Sequence, residues 1–269
     1  MEGVLNKGKN LTIKFSSIWS VWKRIIVPCI IVLIWQGICL SGMVKAVLLP
    51  SPVQVVKAVG VMVNSGEIVT HLLVSIIRVL EGFALAGVLG IGLGLGLGIF
   101  PLLFELMDGT IQLLRPIPPI AWLPMAILWF GIEEGSKVFI ITLGAFFPIF
   151  INVLDGIRQT DQKYVELSKV LGVSKGKFVR KVVIPGALPF ILSGLRIGLG
   201  YAWMCVVAAE LSAGMKGIGF MLTDARSLAQ TDKVFVGMLA IGLVGKMMDS
   251  ILRATEARII KWRRAFTGV

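Results

Sequence analysis

The residues of this chain that could do chemistry are few and widely spaced. His71 is the sole histidine among 269 residues, so no histidine-based metal centre or acid–base cluster can be assembled. Cys29, Cys39 and Cys205 lie in apolar stretches without metal-ligand spacing and read as small apolar side chains. There is no Gly-x-x-x-x-Gly-Lys-Ser/Thr phosphate loop. The nearest candidate, Gly176-Lys177-Phe178, lacks both the spacing and the hydroxyl, so the chain has no ATP site of its own. No nucleophile–base set is visible, which argues against a membrane enzyme. What remains is a set of ionisable residues within or beside apolar runs: Arg78, Glu81, Arg196, Glu210, Lys246 and Asp249. Such groups are costly in a bilayer and face the protein interior or a cavity. Their chemistry is electrostatic: either a field along an ion pathway or structural pairing. Arg78 is expected to pair with Glu81, one turn away, and Asp249 with Lys246. Arg196 has no charged neighbour within a turn, and both readings stay open for it. Glu210 closes an apolar segment and reads as a gate, a partner contact or, as we expect, a solvated end.

Two backbone features bear on where such charges sit. Leu114-Arg115-Pro116-Ile117-Pro118-Pro119-Ile120-Ala121-Trp122-Leu123-Pro124 packs four prolines into nine residues, which breaks helical hydrogen bonding. In a membrane a broken helix is tolerated where protein or a water-filled cavity satisfies the freed groups. The segment therefore reads either as the lining of a substrate pathway or as a packing kink. Second, Gly90, Gly94 and Gly98 are spaced by four, as are Gly92 and Gly96, and Gly194 and Gly198 repeat the theme. This is the spacing of flat faces for close helix approach. A dinucleotide loop is excluded, because the Gly-x-Gly-x-x-Gly pattern and a preceding strand are both missing.

The elements that must carry these residues follow from hydropathy. The chain is 56% apolar and only 16% charged, with the charge concentrated between long apolar runs. A spanning helix needs about 20 mainly apolar residues. Six segments qualify: 24–41, 70–100, 111–130, 137–155, 187–210 and 234–252. The second is long, and with Arg78 and Glu81 in its first part it either begins outside the hydrocarbon or faces the protein interior. The predicted fold class is an all-α integral membrane protein with six transmembrane helices. Residues 1–23 form an N-terminal segment, 24–252 a single transmembrane domain and 253–269 a basic tail. The first apolar run reads as a span and not as a cleavable signal. Near 49–66, Ser51 caps a predicted surface-lying helix with Pro52 at its first position.

The net charge is +12. Lys and Arg cluster in the head, in the loop from Asp155 to Gly186 and in the tail, while 42–69, 131–137 and 211–233 hold few. The positive-inside rule then puts both termini in the cytoplasm and removes the need to invoke nucleic acid. Within the basic loop, Asp161 to Leu171 reads as a short amphipathic helix. Tyr164, Leu167 and Leu171 share one face, Gln162, Glu166 and Lys169 the other, and Gly172 stops the helix. Its apolar face needs a partner: the bilayer surface, the protein's own helix ends or another subunit.

At this segment the sequence resembles a known family. Glu166-Leu167-Ser168, three residues, Gly172, nine residues, then Val182-Val183-Ile184-Pro185 is similar to the EAA loop of ATP-binding-cassette (ABC) importer permeases, here spanning about 156–186. Leu167 and Ser168 stand where that pattern has two alanines. Leu48-Leu49-Pro50-Ser51-Pro52, Arg78 to Phe83, Leu128 to Ile132, Ile184 to Pro189, Gly194 to Gly200 and the segment from Ala208-Ala209-Glu210-Leu211 to Thr231-Asp232 resemble the nitrate, aliphatic sulfonate and taurine branch.

The resemblance implies a type I importer permease fold and a set of partners. These are a second copy of the chain, two ABC ATPase subunits that hold the ATP and Mg, and an extracytoplasmic substrate-binding protein. The location implied is the bacterial cytoplasmic (inner) membrane, multi-pass and in contact with lipid. The chain itself is expected to bind no cofactor and no metal and to be a transport subunit, not an enzyme. Coupling to the ATPase is assigned to Tyr164, Glu166, Leu167, Ser168, Leu171 and Gly172. Arg115, Pro118, Pro119, Trp122, Arg196 and Glu210 are the candidates for the translocation pathway. The cargo implied is a small organic or inorganic anion of the sulfonate, taurine or nitrate kind. The alternative is a self-sufficient secondary transporter, a class that often shows inverted repeats and an intramembrane coupling acid. No convincing repeat is visible here.

Overall fold

In the computed structural model, residues 26–45 and 47–260 are described, so the basic head and the last part of the tail lie outside the described residues. The described chain is almost entirely helical. In order, the elements are α1 (Ile26–Leu40), α2 (Pro52–Asn64), α3 (Glu67–Ile99), α4 (Pro101–Leu114), a 3-10 turn (Pro119–Trp122), α5 (Leu123–Phe130), α6 (Glu134–Arg158), α7 (Gln162–Val170), α8 (Lys175–Phe178), a π segment (Val179–Val183), α9 (Ile184–Ala213), α10 (Ile218–Ser227) and α11 (Thr231–Ile259).

Four stretches are long and apolar enough to cross a membrane: Glu67–Ile99, Glu134–Arg158, Lys175–Ala213 and Thr231–Ile259. They match the predicted spans at 70–100, 137–155, 187–210 and 234–252. The predicted span at 24–41 corresponds to α1, whose described part is shorter. The predicted span at 111–130 is corrected. The helix begins ten residues earlier, with Pro101 at its first turn, and the pair Pro101–Leu114 and Pro119–Phe130 is bent by 87° at the proline run. Proline has no N–H to donate, so Pro116, Pro118 and Pro119 deny the helix three successive chances to continue.

The contacts divide the chain into two compact units. The first joins α1 and α2 to Ala225–Val236. Here Trp35 stacks on Phe235 with ring centroids 5.3 Å apart, and the Thr231 hydroxyl donates to the Val47 carbonyl. The predicted cap of α2 is present, and reciprocal: Gln54 N donates to Ser51 Oγ at 3.3 Å, while Ser51 N donates to Gln54 Oε1 at 2.8 Å.

The second unit, 65–224 with 237–260, holds the main core. Its centre is α6, packed between α3 and α9, with Ile140, Ile141, Ala145, Ile149 and Val153 fully buried. Small residues set this approach. A Cβ on Gly90 would fall 2.9 Å from Ile149 Cγ2, and one on Gly98 2.6 Å from Ile157 Cδ1. On the other side of α6, a Cβ on Gly194 or Gly198 would fall 2.7 Å from Asn152 or Ile149. The predicted stripe at Gly90, Gly94 and Gly98 is therefore a packing face. Gly92 and Gly96 are not part of it, because they point into open space on the far side of α3. Gly94→Leu is expected to cost about 1–3 kcal/mol by overpacking, since its Cβ would sit 2.8 Å from Val153 and 3.0 Å from the Phe150 carbonyl oxygen. Gly92→Ala should be neutral. Thermal unfolding in detergent checks both.

Candidate functional site: coupling helix, broken-span cavity and buried charge hub

The amphipathic segment of the basic loop is α7. Asp161 caps it, its Oδ1 accepting from Lys163 N at 2.9 Å. The other end closes in a Schellman motif. Gly172 has φ +63°, Gly172 N donates to the Lys169 carbonyl at 3.1 Å, and Val173 N donates to the Ser168 carbonyl at 2.9 Å. Val173 and Leu167, the positions that carry the apolar pair of this motif, line one small groove with Phe178 and Val182. The Ser168 hydroxyl is turned inward, donating to the Val165 carbonyl at 2.7 Å.

No residue of α7 is buried. Tyr164 is 56% exposed, Leu167 53% and Leu171 66%. Val170, 84% exposed, follows Glu166 by one turn at the edge of the opposite face, and it does not line the groove that Tyr164, Leu167 and Leu171 share. Glu166 and Lys169 are exposed too. The face is thus a short apolar ridge with a fixed end, more than half exposed and bordering the groove with Phe178 and Val182.

Beyond α7 the chain enters the long stretch of which α9 is the main part. At its start, Ile184 N reaches back five residues to the Val179 carbonyl. Pro185 follows and cannot supply the amide that would bond the Lys181 carbonyl, so the ladder is loosened where α9 begins.

The broken span shapes a cavity of about 280 Å³ against α6 and α9. Of the six pathway candidates, Arg115 and Pro119 line it. Pro118, Trp122, Arg196 and Glu210 do not. Pro118 is extended just ahead of the 3-10 turn (φ −58°, ψ 133°), and Trp122 packs on the core. The lining also includes Phe147, Asn152, Ile197 and Tyr201, which the sequence reading passed over. They sit on helices read only as packing faces, and no local spacing marks them.

Arg196 reaches across to α11, where it bonds Glu256 at 3.1 Å and approaches Asp249 at 3.9 Å. Asp249 pairs with Arg253, one turn on, at 3.0 Å, and not with Lys246 as expected. Arg196 therefore takes the ion-pair reading, with partners far away in sequence.

The expectations for Arg78 and Glu210 are both corrected. Glu210 is not solvated: its side chain has no exposure. Arg78, 2% exposed, does not pair with Glu81, which points outward. Its Nη1 donates to Glu210 Oε1 and to the Lys216 carbonyl, both at 2.7 Å. Its Nε and Nη2 grip both oxygens of Glu134 at 2.5 Å. Glu210 also accepts from Ser75 Oγ at 2.8 and 2.9 Å and from Gly219 N at 2.8 Å. Ser75 in turn accepts from Ile218 N at 2.9 Å, and His71 Nδ1 from Gly217 N at 3.1 Å. Gly217 has φ +109°, and a Cβ there would fall on the Glu210 carboxylate.

The hub thus ties α3, α6, the end of α9 and the start of α10 together. It lies at the opposite end of α9 from α7, about 40 Å away for 26 residues at helical rise. A cleft of about 460 Å³ lined by Arg78, Glu134, Lys137 and Lys216 opens beside it. The signal that sequence offered was the glycine cluster after Glu210, at 214, 217 and 219, which marks a tight return over that carboxylate. Among the described residues there is no group of His, Cys, Asp and Glu able to hold a metal ion.

The geometry is that of a helical membrane core with a broken span and an exposed capped helix in its basic loop. The comparisons agree with it. Residues 86–261 match the family described as binding-protein-dependent transport system inner membrane component. The chain is 42% identical over 246 residues to the putative aliphatic sulfonates transport permease protein SsuC of Bacillus subtilis (strain 168), covering 91% of this chain and 89% of that one. It is 34% identical to the taurine transport system permease protein TauC of Escherichia coli (strain K12), covering 87% and 86%. It is 33% identical to the nitrate import permease protein NrtB of Synechocystis sp. (strain ATCC 27184 / PCC 6803 / Kazusa), covering 86% of each. Its fold is similar to that in the crystal structure of an amino acid ABC transporter with histidines, with a TM-score of 0.59, 14% identity and coverage of 76% and 97%. On the family match and these identities, the chain belongs to the binding-protein-dependent transport system inner membrane component family and is a multi-pass permease subunit of an ABC transport system.

Proposed function

We propose that two copies of this chain form the pathway of an ATP-driven importer for a small organic or inorganic anion of the sulfonate, taurine or nitrate kind. Two ABC ATPase subunits bind and hydrolyse ATP with Mg, and an extracytoplasmic binding protein delivers the cargo. Both termini lie in the cytoplasm of a bacterial inner membrane. The observation that carries the reading is the ridge of Tyr164, Leu167 and Leu171. It is fully formed, fixed at both ends by caps, and exposed. A rigid apolar ridge on a soluble-side loop is what a separate motor subunit needs to push on. The relatives' names support the cargo class.

The test is reconstitution with the cognate ATPase and binding protein. Native mass spectrometry should find two copies of this chain with two ATPases. Uptake of a panel of small anions into vesicles should require ATP, be blocked by vanadate and be insensitive to an ionophore. Uptake driven by an ion gradient without ATP would establish the secondary-transporter alternative in its place.

A further inference from the structure

We propose that the cavity at the broken span is a binding site for a small organic anion, with Arg115 as its charge-recognising residue and Phe147 and Ile197 as its apolar wall. The proposal rests on the importer reading and deepens it by placing a substrate contact within this chain.

Four observations carry it. First, the lining holds one cation and no carboxylate, and among the described residues Arg115 enters no ion pair. A cleft with one sign of charge and apolar walls concentrates ions of the other sign. Second, the prolines deliver this cation. Arg115 caps the end of α4 and opens the four-residue break across which the chain turns by 87°, so it stands at a helix end and not within a continuous helix. Third, hydrogen-bonding capacity remains in the wall. Asn152 spends one N–H on the Pro148 carbonyl at 2.8 Å and keeps its second, and Tyr201 lines the same space. Fourth, about 280 Å³ is enough for an oxyanion headgroup with a short carbon body and exceeds what a bare inorganic anion fills. Phe147 and Ile197 would pack against that body. Guanidinium is the donor suited to such oxyanions, because its planar fork bonds two oxygens at once.

The test reads the cavity's charge preference and does not require the natural cargo. In the assembled transporter, with Cys29→Ser, Cys39→Ser and Cys205→Ala, a reporter thiol is placed by Ile197→Cys, and in a second preparation by Leu143→Cys. Each is labelled with the sulfonatoethyl and the trimethylammonioethyl methanethiosulfonates. The thiolate attacks the sulfenyl sulfur, a mixed disulfide forms and methanesulfinate leaves. Rates are normalised to those of a free small thiol in solution.

The sulfonate reagent should be favoured about tenfold, at the low end of what a charged cleft achieves. Arg115→Gln should bring the ratio to about one, and Arg115→Lys should keep most of it. Ethanesulfonate should protect the thiol where nitrate at the same concentration does not. Equal rates in the presence of Arg115, a ratio unmoved by Arg115→Gln, or equal protection by nitrate would each overturn the proposal. Labelling runs without ATP, so failure of the importer reading shows separately, as absence of ATP-dependent uptake.

Discussion

Leu167→Asp combined with Gly172→Val is expected to leave the membrane core folded and to abolish ATP-coupled uptake. The two changes attack the α7 ridge in different ways. Leu167 is half-exposed in the isolated chain and, in the proposed complex, fills a groove of the ATPase. Burial of a leucine is worth roughly 1.5–3 kcal/mol, and a charge in its place adds a desolvation cost. Gly172 acts through the backbone alone. Its φ is +63°, and an added Cβ meets nothing within 4 Å, so valine there brings no clash, only about 1–2 kcal/mol of left-handed strain. That strain releases the Schellman cap and redirects Val173 away from Leu167.

Together the two losses amount to at least about 100-fold in docking, since 1.4 kcal/mol is tenfold. ATPase co-purification and vesicle uptake read the result. Gly172→Asn, which tolerates the left-handed region, should restore most of the second loss. Lys169→Ala, on the opposite face, should change little. Normal uptake by the double variant would mean that α7 rests on the bilayer and that energy enters elsewhere.

That ridge was legible in the sequence because everything defining it is local. The face repeats at three and four residues, Asp161 caps one end and Gly172 the other, all within a dozen residues. The proline break was legible for the same reason, as a covalent property of four residues. Where that span starts was not. Glu105, Asp108 and Gln112 lower its hydropathy, and the helix-starting Pro101 was overlooked beside the long α3. The charge hub failed for the opposite reason. A rule that pairs residues one turn apart offered Glu81 to Arg78, while the true partners lie 56 and 132 positions away. Arg196 repeats the lesson, with Glu256 60 positions on. Asn152 and Tyr201 reach the cavity only because α6 and α9 flank a segment bent at right angles to its neighbour, and nothing in their own neighbourhoods encodes that.

Glu210→Ala is expected to destabilise the folded protein more than any other single change at the hub. It removes the one acceptor that Arg78, Ser75 and Gly219 share and leaves a guanidinium buried at 2% exposure with one of its two carboxylates gone. Breaking a buried pair from one side costs about 3–5 kcal/mol, because the surviving charge keeps its desolvation penalty. Arg78→Lys should fall between. An ammonium is a point donor and cannot grip both Glu134 oxygens while also reaching Glu210 and the Lys216 carbonyl. Glu134→Gln should be mildest. Its side chain is 61% exposed, water screens its charge, and the amide oxygen still accepts one bond from Arg78. The order of thermal midpoints in detergent, followed by size-exclusion monodispersity, should therefore run Glu134→Gln, Arg78→Lys, Glu210→Ala from highest to lowest. A Glu134→Gln protein as unstable as Glu210→Ala would refute this ranking. It would shift the weight of the hub from the α3–α9 contact to the exposed α3–α6 contact.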